Sequence, residues 1–269
     1  MNVALLAIPA ATLYIIGGLS TGLRLFNAED SRRPPRMLGI ALGFAGLALH
    51  AAVIYHELFM LGGLNMSFFN AVSLAAWTMA GLLLVSSLSK PVENLAILAL
   101  PLAAITVLLD LRFPGSRLLS DHSGWELRLH VLTSMLAYSL LTLASAQALL
   151  LAVQDTHLRR HHPGGFIRAL PPLQTMESLL FEMISVGFVL LSVALLTGFL
   201  YLDDMFAQHL VHKTVLSIVA WIAFATLLWG RFRFGWRGRK AIRWTLVGFA
   251  VLMLAYFGSK AVIELILHR

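Results

Sequence analysis

Two histidines stand inside stretches that exclude water. His130 opens HVLTSMLAYSLLTLASAQALLLAV, an uncharged run long enough to cross a bilayer, and His50 lies within MLGIALGFAGLALHAAVIYHELFM. An ionisable ring in hydrocarbon is costly, so it faces a partner inside the bundle. Imidazole also ligates metals and haem iron. The two histidines therefore predict one of two chemistries: a hydrogen bond between helices, or ligation of a metal centre.

Depth sorts nine of the ten histidines of the chain. At 1.5 Å per residue, His50 falls near mid-membrane, and His130 falls about one turn below the outer surface. Roughly 10–15 Å along the membrane normal separates them. His209 and His212, three apart, sit at the outer mouth of the seventh span and could share a face. His122, His157, His161, His162 and His268 read as loop or tail residues. Haem ligation needs one or two imidazoles, apolar walls, and cations for two propionates. Trp77, Phe68, Phe69, Tyr138, Trp221 and Phe224 can supply walls. Arg128 and Lys213 can supply the cations at the outer surface. On this reading His130 and His50 are metal (haem iron) ligands. The cofactor-binding set is His130, His50, His212, Trp77 and Arg128, around a non-covalent haem b.

Other chemistry is sparse. Glu177 and Glu182 mark the inner end of the sixth span, where acidic residues suit a helix N-terminus. Asp203 and Asp204 read as solvated. Cysteine is absent, which rules out disulfides, thiolate ligation, iron–sulfur clusters and covalent haem attachment to this chain. No phosphate loop, zinc-protease helix or nucleophile elbow occurs, so no catalytic residue is expected and the protein reads as a non-enzyme.

The elements that position these residues follow from composition. The chain is 59% hydrophobic and 12% charged, about half the charge of a soluble domain. Eight apolar stretches, at about 2–23, 37–60, 67–88, 92–109, 128–152, 178–200, 213–230 and 243–265, are each of a length to cross roughly 30 Å of hydrocarbon. The expected fold is an all-α, polytopic bundle forming a single membrane domain over 1–269. The loops then alternate sides. Fourteen of the 20 Lys and Arg fall on one set, Arg24 to Arg243, and six on the other. The positive-inside rule makes the first set cytoplasmic and places both termini outside. The basic runs read as solvated inner loops rather than a nucleic-acid surface. Gly39-xxx-Gly43 predicts close approach of a neighbouring helix.

Four segments in order resemble the cytochrome c assembly (CcsA/CcmC-like) membrane family. HVLTSMLAY matches its His-V-x-x-x-x-L-x-Y helix. NAVSLAAW, residues 70–77, is similar to its Asn-to-Trp region. SVGFVLLSVALLTGFLY and HKTVLSIVAWIAFATLLWGR resemble the helices that enter and leave its outer haem-handling loop. The tail FGWRGRKAIRWTLVGFAVLMLAYFGSK is similar to the small YpjD-type inner-membrane branch, and the family-like core covers about 37–265. The family's Trp-rich outer motif is missing: the interval reads LDDMFAQHLV. A second outer histidine is not found in YFGSKAVIEL. The resemblance carries the outer-histidine role to His130 alone, with His50 as an in-membrane histidine. It implies an inner-membrane protein that holds or passes b-type haem near the outer face, with haem and an apocytochrome c or another assembly factor as partners. Two rival readings are a transporter or ion-handling accessory using His50 and Glu182, and a HemX-type regulatory scaffold for haem synthesis.

Overall fold

The computed structural model describes residues 3–27, 33–59, 64–65, 67–115, 118–119, 125–159, 166–201 and 211–258. Eight helices among them are long and apolar enough to cross a membrane. They are α1 (Ala4–Phe26), α2 (Arg36–Phe59), α3 (Phe68–Ser89), α4 (Ala96–Arg112, a span of Glu93–Arg112 with the turn before it), α5 (Trp125–Arg159), α7 (Leu173–Tyr201), α8 (Val211–Phe234) and α9 (Arg239–Met253, a span of Arg239–Gly258 with the turn after it). The short α6 (Phe166–Ala169) precedes α7. The chain is a polytopic all-α membrane protein. Helices dominate because lipid offers the backbone no hydrogen bonds, so each segment must satisfy its own. Hydroxyls inside the spans follow the same rule by bonding the carbonyl four residues back. Thr21 bonds Gly17, Thr78 bonds Leu74 and Ser185 bonds Phe181, all within 3.0 Å.

Two helices outrun their apolar stretches. α5 continues through the polar turn Gln154–Arg159, and α7 begins at Leu173, directly after Pro171 and Pro172. Proline favours the start of a helix, and polar residues lengthen one freely once it leaves the hydrocarbon. A 3₁₀ turn, Glu93–Leu95, leads into α4, and a π turn, Leu254–Gly258, continues α9. Leu64–Asn65 pairs antiparallel with Leu118–Leu119. His122, His161, His162, Asp203, Asp204, His209 and His268 lie outside the described residues.

The chain divides into two compact units: residues 1–121 with 157–172, and residues 122–156 with 173–269. In unit 1, α1 packs on α2, α2 on α3, α3 on α4, and α4 back on α1, closing a four-helix ring. The α1–α2 seam is as close as the glycine pattern predicted. A methyl added at Gly17 would stand 3.1 Å from the Gly39 carbonyl and 3.3 Å from the Gly43 nitrogen.

Unit 2 is built from α5, α7, α8 and α9. Residue pairs 130/194, 141/187 and 147/176 show α5 and α7 running antiparallel. α8 packs on both α7 and α9. Phe224, fully buried, meets Gly248 of α9. The α8–α9 turn depends on Gly235 and Gly238, both at positive φ, a conformation glycine adopts without steric cost.

Candidate functional site

His50 is fully buried at the centre of unit 1. Its Nδ1 lies 3.3 Å from the Tyr14 hydroxyl of α1, and its Nε2 lies 2.9 Å from Ser73 Oγ of α3. A neutral ring has one donor and one acceptor nitrogen. With Tyr14 donating to Nδ1 and Nε2–H donating to Ser73, both are used. Ser73 is in turn hydrogen-bonded to Asp110 of α4, and Glu57 lies close enough to act on Asp110 electrostatically. One polar chain thus runs through all four helices of the unit. It ends in unused capacity: Asp110 Oδ2 and both amide atoms of Asn70, one turn from Ser73, are buried without a partner among the described residues.

His130 is held differently. Half-buried on α5, it directs Nδ1 at the Ala194 carbonyl of α7 (2.9 Å), with Thr197 Oγ1 at 3.2 Å. A carbonyl only accepts, so Nδ1 carries the proton and Nε2 keeps its lone pair. Nε2 has no partner among the described residues. Metal-ligating histidines are oriented in this way: one nitrogen donates to a carbonyl or carboxylate and the other faces the metal. The donor set of His130 therefore fits haem iron. The His50 ring fits it only by giving up one of its two hydrogen bonds.

The remaining residues divide between the units. Phe68, Phe69 and Trp77 belong to unit 1 with His50. Phe69 stacks on Phe113 at 5.1 Å, and Trp77 Nε1 donates to the Leu47 carbonyl at 3.0 Å, tying α3 to α2. Arg128, His130, Tyr138, His212, Lys213, Trp221 and Phe224 belong to unit 2. α7 ends at Tyr201 and α8 begins at Val211, so His212 shares an end of the unit with His130. It is exposed there. Arg128 is exposed and has no ion-pair partner among the described residues. Its two-residue offset rotates it about 200° around α5 from His130. Tyr138 packs against Phe249, Tyr256 and Phe257, within 6.1 Å centroid to centroid. Trp221 donates to Ser192 Oγ at 2.8 Å and stacks on Phe188. Among the described residues no group of three or more His, Cys, Asp or Glu could hold a metal ion.

Sequence reasoning missed three features. The Ala194 carbonyl and Thr197, which orient His130, carry no signal of their own in a run of apolar residues. Trp125 and Tyr201, with rings 6.1 Å apart, bring the start of α5 to the end of α7. Glu177, expected only as an acidic residue suited to a helix start, is buried. It pairs with Arg231 at 2.8 Å and Arg237 at 3.3 Å, while Arg231 lies 4.5 Å over the Phe181 ring and bonds the Trp236 carbonyl. Glu182, by contrast, is exposed on α7. Glu177→Gln should lower stability by about 1–2 kcal/mol, because it weakens a charge-assisted bond that is largely buried, while the exposed Arg237 contact adds little. Thermal unfolding in detergent measures this, and a variant as stable as the parent would remove the anchoring role.

A family model described as cytochrome C assembly protein matches residues 38–267. The inner membrane protein YpjD of Escherichia coli K12 is 30% identical over 86% of this chain and 88% of its own length. An uncharacterized 28.8 kDa protein of Azospirillum brasilense is 30% identical over 98% of this chain and 96% of its own. A cytochrome c biogenesis protein CcsA of Prochlorococcus marinus MIT 9303 is 25% identical over 71% of this chain and 70% of its own. No solved structure matches.

Proposed function

Because the chain belongs to the cytochrome c assembly protein family, we propose that it is a multi-pass protein of the bacterial inner membrane that holds or passes b-type haem in cytochrome maturation. The orientation proposed puts the basic loops in the cytoplasm and both termini outside. His130 then lies near the outer face, where haem is presented to an apocytochrome c or a further assembly factor. The observation that carries the reading is the His130 ring, with Nδ1–H fixed on the Ala194 carbonyl and Nε2 left for iron. His212 at the same end is the described histidine suited to a second axial position, whereas Arg128, about 200° around α5 from His130, faces away from an iron on that ring. When bound, haem supplies the ligation and redox chemistry. The chain supplies orientation, apolar walls and charge.

The test is the absorption spectrum of the full chain, purified in mild detergent and loaded with haemin. A Soret band that shifts on reduction, at about one haem per chain, is expected. A protein that stays colourless after loading overturns the reading.

A further inference from the structure

An open groove of about 430 Å³ runs along unit 2 between the last turns of α5 and the first turns of α9, the end that carries the basic loops. α9 contributes Arg239, Ile242, Arg243, Leu246 and Val247, and α5 contributes Ala152 and Asp155. Spacing along α9 sorts these by chemistry. Arg239, Arg243 and Val247 follow one another at intervals of four, with Ile242 and Leu246 beside them. One helix face therefore passes from two guanidiniums to branched apolar side chains over about 12 Å.

The charge is only partly used. Asp155 Oδ2 lies 3.2 Å from Arg239 Nε. Arg243 is exposed and has no ion-pair partner among the described residues. Two cations against one carboxylate leave the head of the groove positive. The apolar half is open to the surroundings, with Val247 51% exposed. Trp236 of the α8–α9 turn stacks on Trp244 of α9 at 6.0 Å, with Lys240 5.6 Å from the Trp236 ring. Tryptophan and lysine of this kind mark the level where head groups meet hydrocarbon. A ligand that matches both halves has an anionic head and an apolar tail, and it is already dissolved in the layer this helix crosses.

We propose that the α5/α9 groove binds one anionic phospholipid, its phosphate on Arg243 and on the donors of Arg239 that Asp155 leaves unused, and an acyl chain along Ile242, Leu246, Val247 and Ala152. The site lies at the end of unit 2 opposite His130 and stands apart from the haem reading.

The test uses the full chain in an uncharged detergent, titrated with phosphatidylglycerol, with phosphatidylcholine of the same chains, and with inorganic phosphate. Thermal unfolding reports binding, and native mass spectrometry counts retained lipid. Phosphatidylglycerol should stabilise the protein saturably and leave one lipid bound. Arg243→Gln should weaken this about tenfold, the loss of one charge-assisted contact. Leu246→Trp keeps every charge but fills the apolar half, and should weaken it similarly. Asp155→Asn releases Arg239 and should tighten it. An equal response to phosphatidylcholine overturns the proposal, and so does a phosphatidylglycerol response unchanged in whichever of the first two variants purifies folded. If inorganic phosphate alone reproduces the effect, the groove is a free-anion site and the lipid assignment fails.

Discussion

Replacing His130 by asparagine should leave the protein folded and take away its haem absorption. The reasoning rests on which nitrogen does what. His130 Nδ1 and an asparagine Nδ2 are attached to the same side-chain carbon, so the amide can still donate to the Ala194 carbonyl, 2.9 Å away in the parent. The α5–α7 tie survives. What asparagine lacks is any counterpart of Nε2. A histidine that merely joins two helices would tolerate the change, and one that binds iron would not. We expect haem affinity to fall by more than about 100-fold, beyond the range usual for losing an outer-shell partner. Added imidazole should restore part of the band.

Thr197→Val provides the graded control. Thr197 Oγ1 is the second group facing Nδ1, at 3.2 Å. Its loss leaves the backbone carbonyl in place but loosens the ring. Outer-shell groups of this kind are worth about 10- to 100-fold in affinity, and the lower end applies because the stronger partner remains. Spectral titration with haemin measures both variants. A His130→Asn protein that binds haem like the parent leaves His130 a helix tie and nothing more.

The sequence disclosed the fold far better than the site, for a physical reason. A span in lipid has to be a continuous apolar helix, so each of the eight appears in the chain as an unbroken stretch. The ends were less legible. The polar turn Gln154–Arg159 belongs to α5 although composition places it in a loop. Asp110 shows the same difficulty with more consequence: the apolar stretch ends at 109 and leaves it to the loop, yet it is buried in the last turn of α4. A signal for it existed. Ala99, Ala103, Thr106 and Asp110 recur at helical spacing, and all four are buried. The burial of His50 followed from sequence. Its partners did not, because Tyr14, Ser73 and Asp110 come from three other helices and one dimension carries no record of that meeting. Sequence sets Glu177 against its own helix dipole, whereas its partners lie more than 50 residues away.

His50→Leu should cost about 2–3 kcal/mol of stability and leave the haem spectrum unchanged. Leucine has a similar volume, so packing changes little and the effect isolates the polar chain. The substitution strands the Tyr14 hydroxyl, which is 0% exposed, and removes the donor to Ser73. Each interhelical hydrogen bond in a membrane is worth on average about 0.6 kcal/mol, and a stranded buried group costs a further 1–3 kcal/mol. Tyr14→Phe combined with His50→Leu removes the stranded hydroxyl and should recover part of the loss, a coupling that a double-mutant cycle measures. His50→Gln is the other informative variant. Glutamine both donates and accepts, so it can bridge Tyr14 and Ser73 and should hold stability within about 1 kcal/mol of the parent. It cannot replace imidazole on iron. If the spectrum of the reduced, haem-loaded protein changes in His50→Gln while stability holds, His50 gives up one of its partners to bind iron, and its assignment to the four-helix polar chain fails.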